Sequence, residues 1–273
     1  MAPRQAKRIV ITFALVAAVA VCAALLAARL RPGAFAVTGR DAVGSPDDRM
    51  SDLPRVMLWA WERPEDLRFI DPREVGVAYL AETIILSGDR AVMRPRMQPL
   101  QLAPGTRRVA VARVETDGRA RPLFSDEQRR RVVAELTALA QGDAVAAVQI
   151  DFDALQSERA FYRALLVDLR KQLPATTRLS ITALASWCLG DNWISDLPVD
   201  EAVPMLFRMG ADRENIQTRL KAGDDFSVAV ARHSVGVSTD EPIGGRFSGR
   251  RVYVFNTRPW TADSVGRITR EVR

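Results

Sequence analysis

Residues 145–153 read VAAVQIDFD, and the alternation within this stretch decides the fold. Successive side chains of an extended chain point to opposite faces. Val148, Ile150 and Phe152 then share an apolar face suited to packing under helices. Gln149, Asp151 and Asp153 share the other face, pointing inward. Seven further apolar runs stand at 56–61, 75–80 (continuing to 86), 108–114, 179–187, 201–207, 234–238 and 251–255. With 145–152 they make eight strand candidates. Several are nearly continuous apolar runs, as strands of a parallel sheet covered by helices are.

Helical signals lie between some of these strands. Ser125 with Gln128 reads as a capping box, followed by the apolar face Val132, Val133, Leu136, Leu139 and Ala140 and a stop at Gly142. Ser157 is placed to cap the next helix, in which Phe161, Leu165, Leu169 and Leu173 recur every four residues before Pro174. Residues 262–273 suit a closing helix, and 87–107, with three prolines, suit a long loop or an extra hairpin. Eight strands alternating with helices predict an α/β fold, a (β/α)8 TIM-like barrel over residues 55–273. The alternative is a doubly wound open sheet. No GxGxxG or GxxxxGK[ST] follows any strand, so no nucleotide site is expected.

The chain of 273 residues carries 39 Lys+Arg, 33 Asp+Glu and a single His, for a net charge of +6. Arg4, Lys7, Arg8, Arg29 and Arg31 lie within the first 31 residues, which contain no acid. Without those five, 34 basic residues face 33 acidic ones, and no nucleic-acid partner is expected. Residues 9–28, IVITFALVAAVAVCAALLAA, are long enough as a helix to cross a hydrocarbon core. Residues 1–31 therefore read as a membrane anchor or a cleaved signal, preceded by cations that hold the N-terminus in the cytoplasm. Either reading exports the remainder, to the periplasmic face of an inner membrane or beyond it. Residues 32–54 read as a linker. Of the two cysteines, Cys22 lies in the apolar run and Cys188 is the single thiol of the exported region, and no CxxC or HExxH supports a metal. No cofactor is expected.

Active sites of such barrels form at the C-terminal ends of the strands. There the fourth strand places Asp151 and Asp153 on one face, where burial and mutual repulsion should raise at least one pKa, as a general acid requires. The bland reading is a charged strand end in which Asp153 caps a helix and Asp151 pairs with an arginine. Other strand ends add Glu115 and Asp117 in phase with Arg113, Arg208 as a partner for Asp151, Asn256, and Asp240 with Glu241. Trp59, Trp61, Trp187, Trp193 and Trp260 fall near strand C-termini or the loops after them, where flat aromatic faces suit stacking on sugars. His233 precedes the seventh strand, on the opposite rim, and reads as structural.

The fourth-strand segment resembles the signature of family 18 glycoside hydrolases, Asp-x-x-Asp-x-Asp-x-Glu. The final acid falls on Asp153 and the one before it on Asp151, while Gln149 and Ala146 stand at the two earlier positions. Over about residues 55–260, the runs VQIDFDA, SITALASWC, VDEAVPMLFRMG and SVGVSTDEP are similar to bacterial proteins grouped as domain-of-unknown-function family 3142. The resemblance implies a barrel and an exported setting, and brings no activity with it. The expected function is a glycoside-hydrolase-like protein acting on an envelope or extracellular polysaccharide. Asp153 would be the general acid, with Asp151 tuning it or stabilising the transition state. Gln149, Glu115, Arg208, Asn256, Trp59, Trp61 and Trp187 would bind sugar. The alternatives are a non-catalytic glycan binder or scaffold of the same fold, and an esterase using His233.

Overall fold

In a computed structural model of the chain, residues 49–241 and 247–272 are described. The expected membrane segment 9–28 and most of the linker lie outside them. Among the described residues no helix is long and apolar enough to cross a membrane.

Eight parallel strands close on themselves: β1 (Val56–Ala60), β3 (Val75–Ser87), β6 (Arg108–Thr116), β7 (Val145–Asp151), β8 (Arg178–Leu184), β9 (Glu201–Met205), β10 (Ser234–Ser238) and β11 (Arg251–Phe255). Each pairs with the next, and β1 pairs with both β3 and β11, so the barrel has no open seam. These are the eight strands that periodicity predicts, which excludes the doubly wound alternative. Four predicted ends are too long: β1 stops at Ala60, β7 at Asp151, β8 at Leu184 and β9 at Met205. Trp187 therefore sits in a π-helical turn, Trp187–Asp191, and not on a strand.

The helices are fewer than a regular alternation supplies. They are α1 (Asp126–Ala140), α2 (Arg159–Gln172), α3 (Arg213–Lys221) and α4 (Ala262–Val272). Between β1 and β6 no helix covers the barrel. Instead β2 (Glu65–Leu67) pairs with β5 (Leu100–Leu102), and β4 (Arg90–Pro95) folds back antiparallel on β3. The Pro-rich segment 87–107 thus takes the hairpin option, turning at Gly88, whose φ of 54° is open to a residue without Cβ.

Local signals explain most helix ends, with two corrections. Ser125 Oγ accepts from the Gln128 N–H at 3.1 Å, as expected. The Gln128 amide does not return to the cap; it donates to the carbonyls of Gly88 and Arg90 and ties α1 to the hairpin. Ser157 caps nothing. Glu158 reaches back to the Leu155 N–H at 2.8 Å, and α2 starts after that turn. The apolar stripe Phe161, Leu165 and Leu169 is buried against the barrel, as its spacing predicts.

The alternation on β7 separates two cores. Val148, Ile150 and Phe152 face the helices. Inside the barrel, Met57, Trp59, Ala78, Val109, Val111, Ala147, Val203 and Tyr253 fill the lumen. Gly236 leaves room there: a Cβ on it would stand 2.7 Å from the Trp59 ring. Met50 and Leu53 belong to this inner core and are buried, which corrects the linker reading of 32–54 at its C-terminal end. On β3 the register shifts between Leu80 and Glu82, and Glu82 lies buried against Glu135 of α1. Loss of water, and then Glu135, hold the Glu82 carboxyl well above the usual carboxylate range.

A polar chain also runs through the lumen. Trp59 Nε1 donates to Gln149 at 2.9 Å, Gln149 to Ser180 at 3.0 Å, and Ser180 to Glu201 at 2.9 Å. Glu201 also accepts from Tyr253 at 2.8 Å and from Arg251 at 2.6 Å, and Arg251 reaches the Met50 carbonyl. Inward-facing polar groups on neighbouring strands thus satisfy one another below the rim.

Candidate active site

The C-terminal ends of β6 and β7 bound an open hollow of about 360 Å3, lined by Arg113, Glu115, Asp151, Asp153, Leu155 and Glu158 among others. Strand geometry assembles it. Arg113 and Asp151 are register partners on adjacent strands, and Glu115 and Asp153 follow each by one inward step. On the other side, Thr182 of β8 donates to Asp151 Oδ1 at 2.7 Å.

The two acids differ in setting. Asp151 is buried, with 9% of its surface open, whereas Asp153 is exposed at the rim. Loss of water pushes the Asp151 carboxyl up to about 6; the Thr182 hydroxyl opposes that rise, and the charge of Asp153 adds to it. Asp153 is also raised, by the same loss of water in the hollow, with Arg113 pulling it back. Arg113 is itself held by Glu115 at 2.7 Å. On the helix side of β7 the Tyr162 hydroxyl of α2 is fully buried with no hydrogen-bond partner among the described residues, and burial and the two acids keep it from ionising. The arrangement can hold a proton at near-neutral pH next to open solvent, with a cation on one wall. Among the described residues no group of three His, Cys, Asp or Glu is arranged to hold a metal.

The residues expected to bind sugar do not converge on this hollow. Glu115 lines it. Gln149 is fully buried below the acids, with its amide engaged by Trp59 and Ser180. Trp59 is buried beside it. Trp187 is buried against Trp193, the ring centroids 5.0 Å apart. Asn256 is buried and accepts from Thr239 at 2.6 Å, closing two loops together. Trp260 is buried and donates to the Trp59 carbonyl at 3.0 Å. Trp59 and Gln149 lie in the lumen, and Trp187 and Trp260 in the core between barrel and helices.

Arg208 is not the partner of Asp151. Its backbone N–H donates to Glu241 at 2.9 Å and its guanidinium lies over Phe255, 5.2 Å from the ring centroid. Its φ of 51° is uncommon for a residue with a Cβ. Phe255 in turn stacks on Phe207 at 5.9 Å and meets Trp61 edge-on at 6.1 Å. Trp61, Phe207, Arg208 and Phe255 form a patch at the ends of β1, β9 and β11, across the barrel order from β6 and β7, and its three aromatic rings are half-buried. Asp117 turns aside to Ser87 at 2.8 Å, and Asp240 accepts from Ser238. His233 directly precedes β10, at the end of the barrel opposite the acids.

Sequence reading singles out Asp151, Asp153, Glu115 and Arg113 but misses Thr182 and Tyr162. Thr182 is legible in principle, as the inward-phase residue of LSITALASW level with Asp151. Tyr162 carries no such signal, because an aromatic residue on an apolar helical face reads as core.

The profile of a family described as Domain of unknown function (DUF3142) matches residues 106–213, which contain β6 to β9 and therefore the acid hollow. No curated protein and no solved structure matches the chain.

Proposed function

We propose that the chain is an exported glycoside-hydrolase-like barrel that acts on an envelope or extracellular polysaccharide at the β6–β7 hollow. One observation carries the reading: a buried Asp151, its carboxyl pushed up to about 6 by loss of water, lies directly beneath a solvent-open Asp153 at the end of a barrel strand. Asp153 gives its proton to the glycosidic oxygen as the C–O bond breaks. Water then supplies hydroxyl to the sugar carbon and returns a proton to the site. Asp151 keeps the Asp153 proton from leaving early, and Arg113 limits how far both carboxyls rise. A glycan laid across the mouth meets the acids on one side and the Trp61–Phe255 patch on the other, where aromatic faces suit sugar rings. Membrane attachment through residues 9–28, with the barrel in the periplasm, completes the proposed setting.

A second reading, glycan binding without turnover, is favoured by Glu115. As the nearest carboxylate on the neighbouring strand, it is already engaged by Arg113. Incubating the full chain with bacterial envelope and exopolysaccharides, and reading products by mass spectrometry, separates the two. Cleavage by wild type, falling at least about 100-fold in Asp153→Asn with the fold intact, is the expected result. Cleavage that survives in Asp153→Asn overturns the assignment. Sugar binding without cleavage by wild type gives the second reading its place.

A further inference from the structure

We propose that a second cavity, on the outer wall of the barrel away from the acids, binds a small organic anion with a short apolar body. The cavity measures about 240 Å3 and is lined by Tyr79, Arg96, Leu100, Leu102 and Arg108. Among the described residues no helix covers this stretch of the wall. The β2–β5 pair stands in its place, and a two-stranded ribbon leaves space that a helix would fill. Tyr79 and Arg108 come from the barrel strands β3 and β6, and Leu100 and Leu102 from the cover.

Neither guanidinium in this space, that of Arg96 or that of Arg108, makes an ion-pair contact among the described residues. Arg96 is fixed in place: its guanidinium donates to the carbonyls of Gln98, Ala60, Trp61 and Arg63. The acids nearest Arg96 are Glu62 and Glu65, with Arg63 beside them. Glu65 is already held by Arg63 at 2.6 Å and by the Trp260 N–H at 3.0 Å. Arg108 makes no side-chain hydrogen bond among the described residues, and its Nε is buried without a partner. A guanidinium cannot shed its proton to relieve this, and its fork matches a carboxylate or a phosphate. An anionic head on Arg108, held by the field of the fixed Arg96, with its apolar body between Tyr79, Leu100 and Leu102, satisfies both walls at once.

Benzoate is a suitable probe, with benzamide as its neutral counterpart. Calorimetric titration of the full chain should show benzoate binding at one site and benzamide at least tenfold weaker. Arg108→Gln should lose benzoate by tenfold or more. Leu102→Trp, which fills the cavity and leaves both charges in place, should block it, and Asp153→Asn should bind it as wild type does. Absence of benzoate binding, equal binding of benzamide, or undiminished binding by a folded Arg108→Gln overturns the proposal. The Asp153→Asn control keeps this result separate from the fate of the rim site, since benzoate lost in that variant would place the probe at the acids instead.

Discussion

Glu201→Gln should lower the stability of the barrel by about 3–5 kcal/mol, because it removes the carboxylate that pairs with a buried guanidinium. Glu201 is fully buried, and its carboxylate is the meeting point of Arg251, Tyr253 and Ser180. The amide keeps the shape but can accept through one oxygen only, and its nitrogen meets a donor. Removing water from a charged pair is costly, so the pair itself need not be a large net gain. Breaking it is another matter, since the remaining charge stays buried after losing the Glu201 carboxylate. The double variant Glu201→Gln with Arg251→Met should recover some of the loss, because the guanidinium and the carboxylate that faces it are then removed together. Urea unfolding of the full chain followed by tryptophan fluorescence checks both. A single variant within about 1 kcal/mol of wild type would mean that this network contributes little to holding the barrel closed.

Asp151→Asn should stabilise the protein, and only above the acid range. The ordinary value for this carboxyl is 3.8, and in the fold it is pushed up to about 6. Between those values the folded state holds a proton that the unfolded chain has released. Stability therefore falls as pH rises through this window, by about 3 kcal/mol in total once pH exceeds 6. Asparagine has nothing to ionise and can still accept from Thr182, so it escapes that loss. Thermal melts should show Asp151→Asn more stable than wild type at pH 7–8 and close to it at pH 4. Equal melting of the two proteins across the whole range would show that Asp151 ionises without penalty, and the hollow would lose its claim to hold a proton.

Legibility in the sequence depends on how local each cause is. Side-chain alternation over VAAVQIDFD fixes which residues enter the lumen, and it places Asp151 and Asp153 correctly because period two is a property of the strand alone. The same logic picks out all eight barrel strands. It fails at their ends, where β8 and β9 stop early, because termination depends on what the next turn packs against. Trp187, a rim group by periodicity, is core for that reason. Gln149 shares its face with the acids but lies one step deeper, below the reach of solvent. The ribbon that replaces the early helices is also tertiary in origin. Three-residue strands such as β2 and β5 have too little periodicity to announce themselves, and so the cavity they leave is invisible in the sequence. Thr182 and Glu201 matter through partners 31 and 50 residues away, and such pairings are known only once the barrel closes.

The proposed chemistry rests on a buried carboxyl at the end of β7, Asp151, that holds its proton well above the ordinary aspartate range beside the acid Asp153. Labelling the aspartate carboxyl carbons and following their chemical shifts against pH in the full chain measures this directly, with Asp151→Asn assigning the resonance. Asp151 should titrate with a midpoint near 6, and its transition should shift when Asp153 is changed to Asn. A midpoint close to the 3.8 of an ordinary aspartate, unmoved by that change, would contradict it.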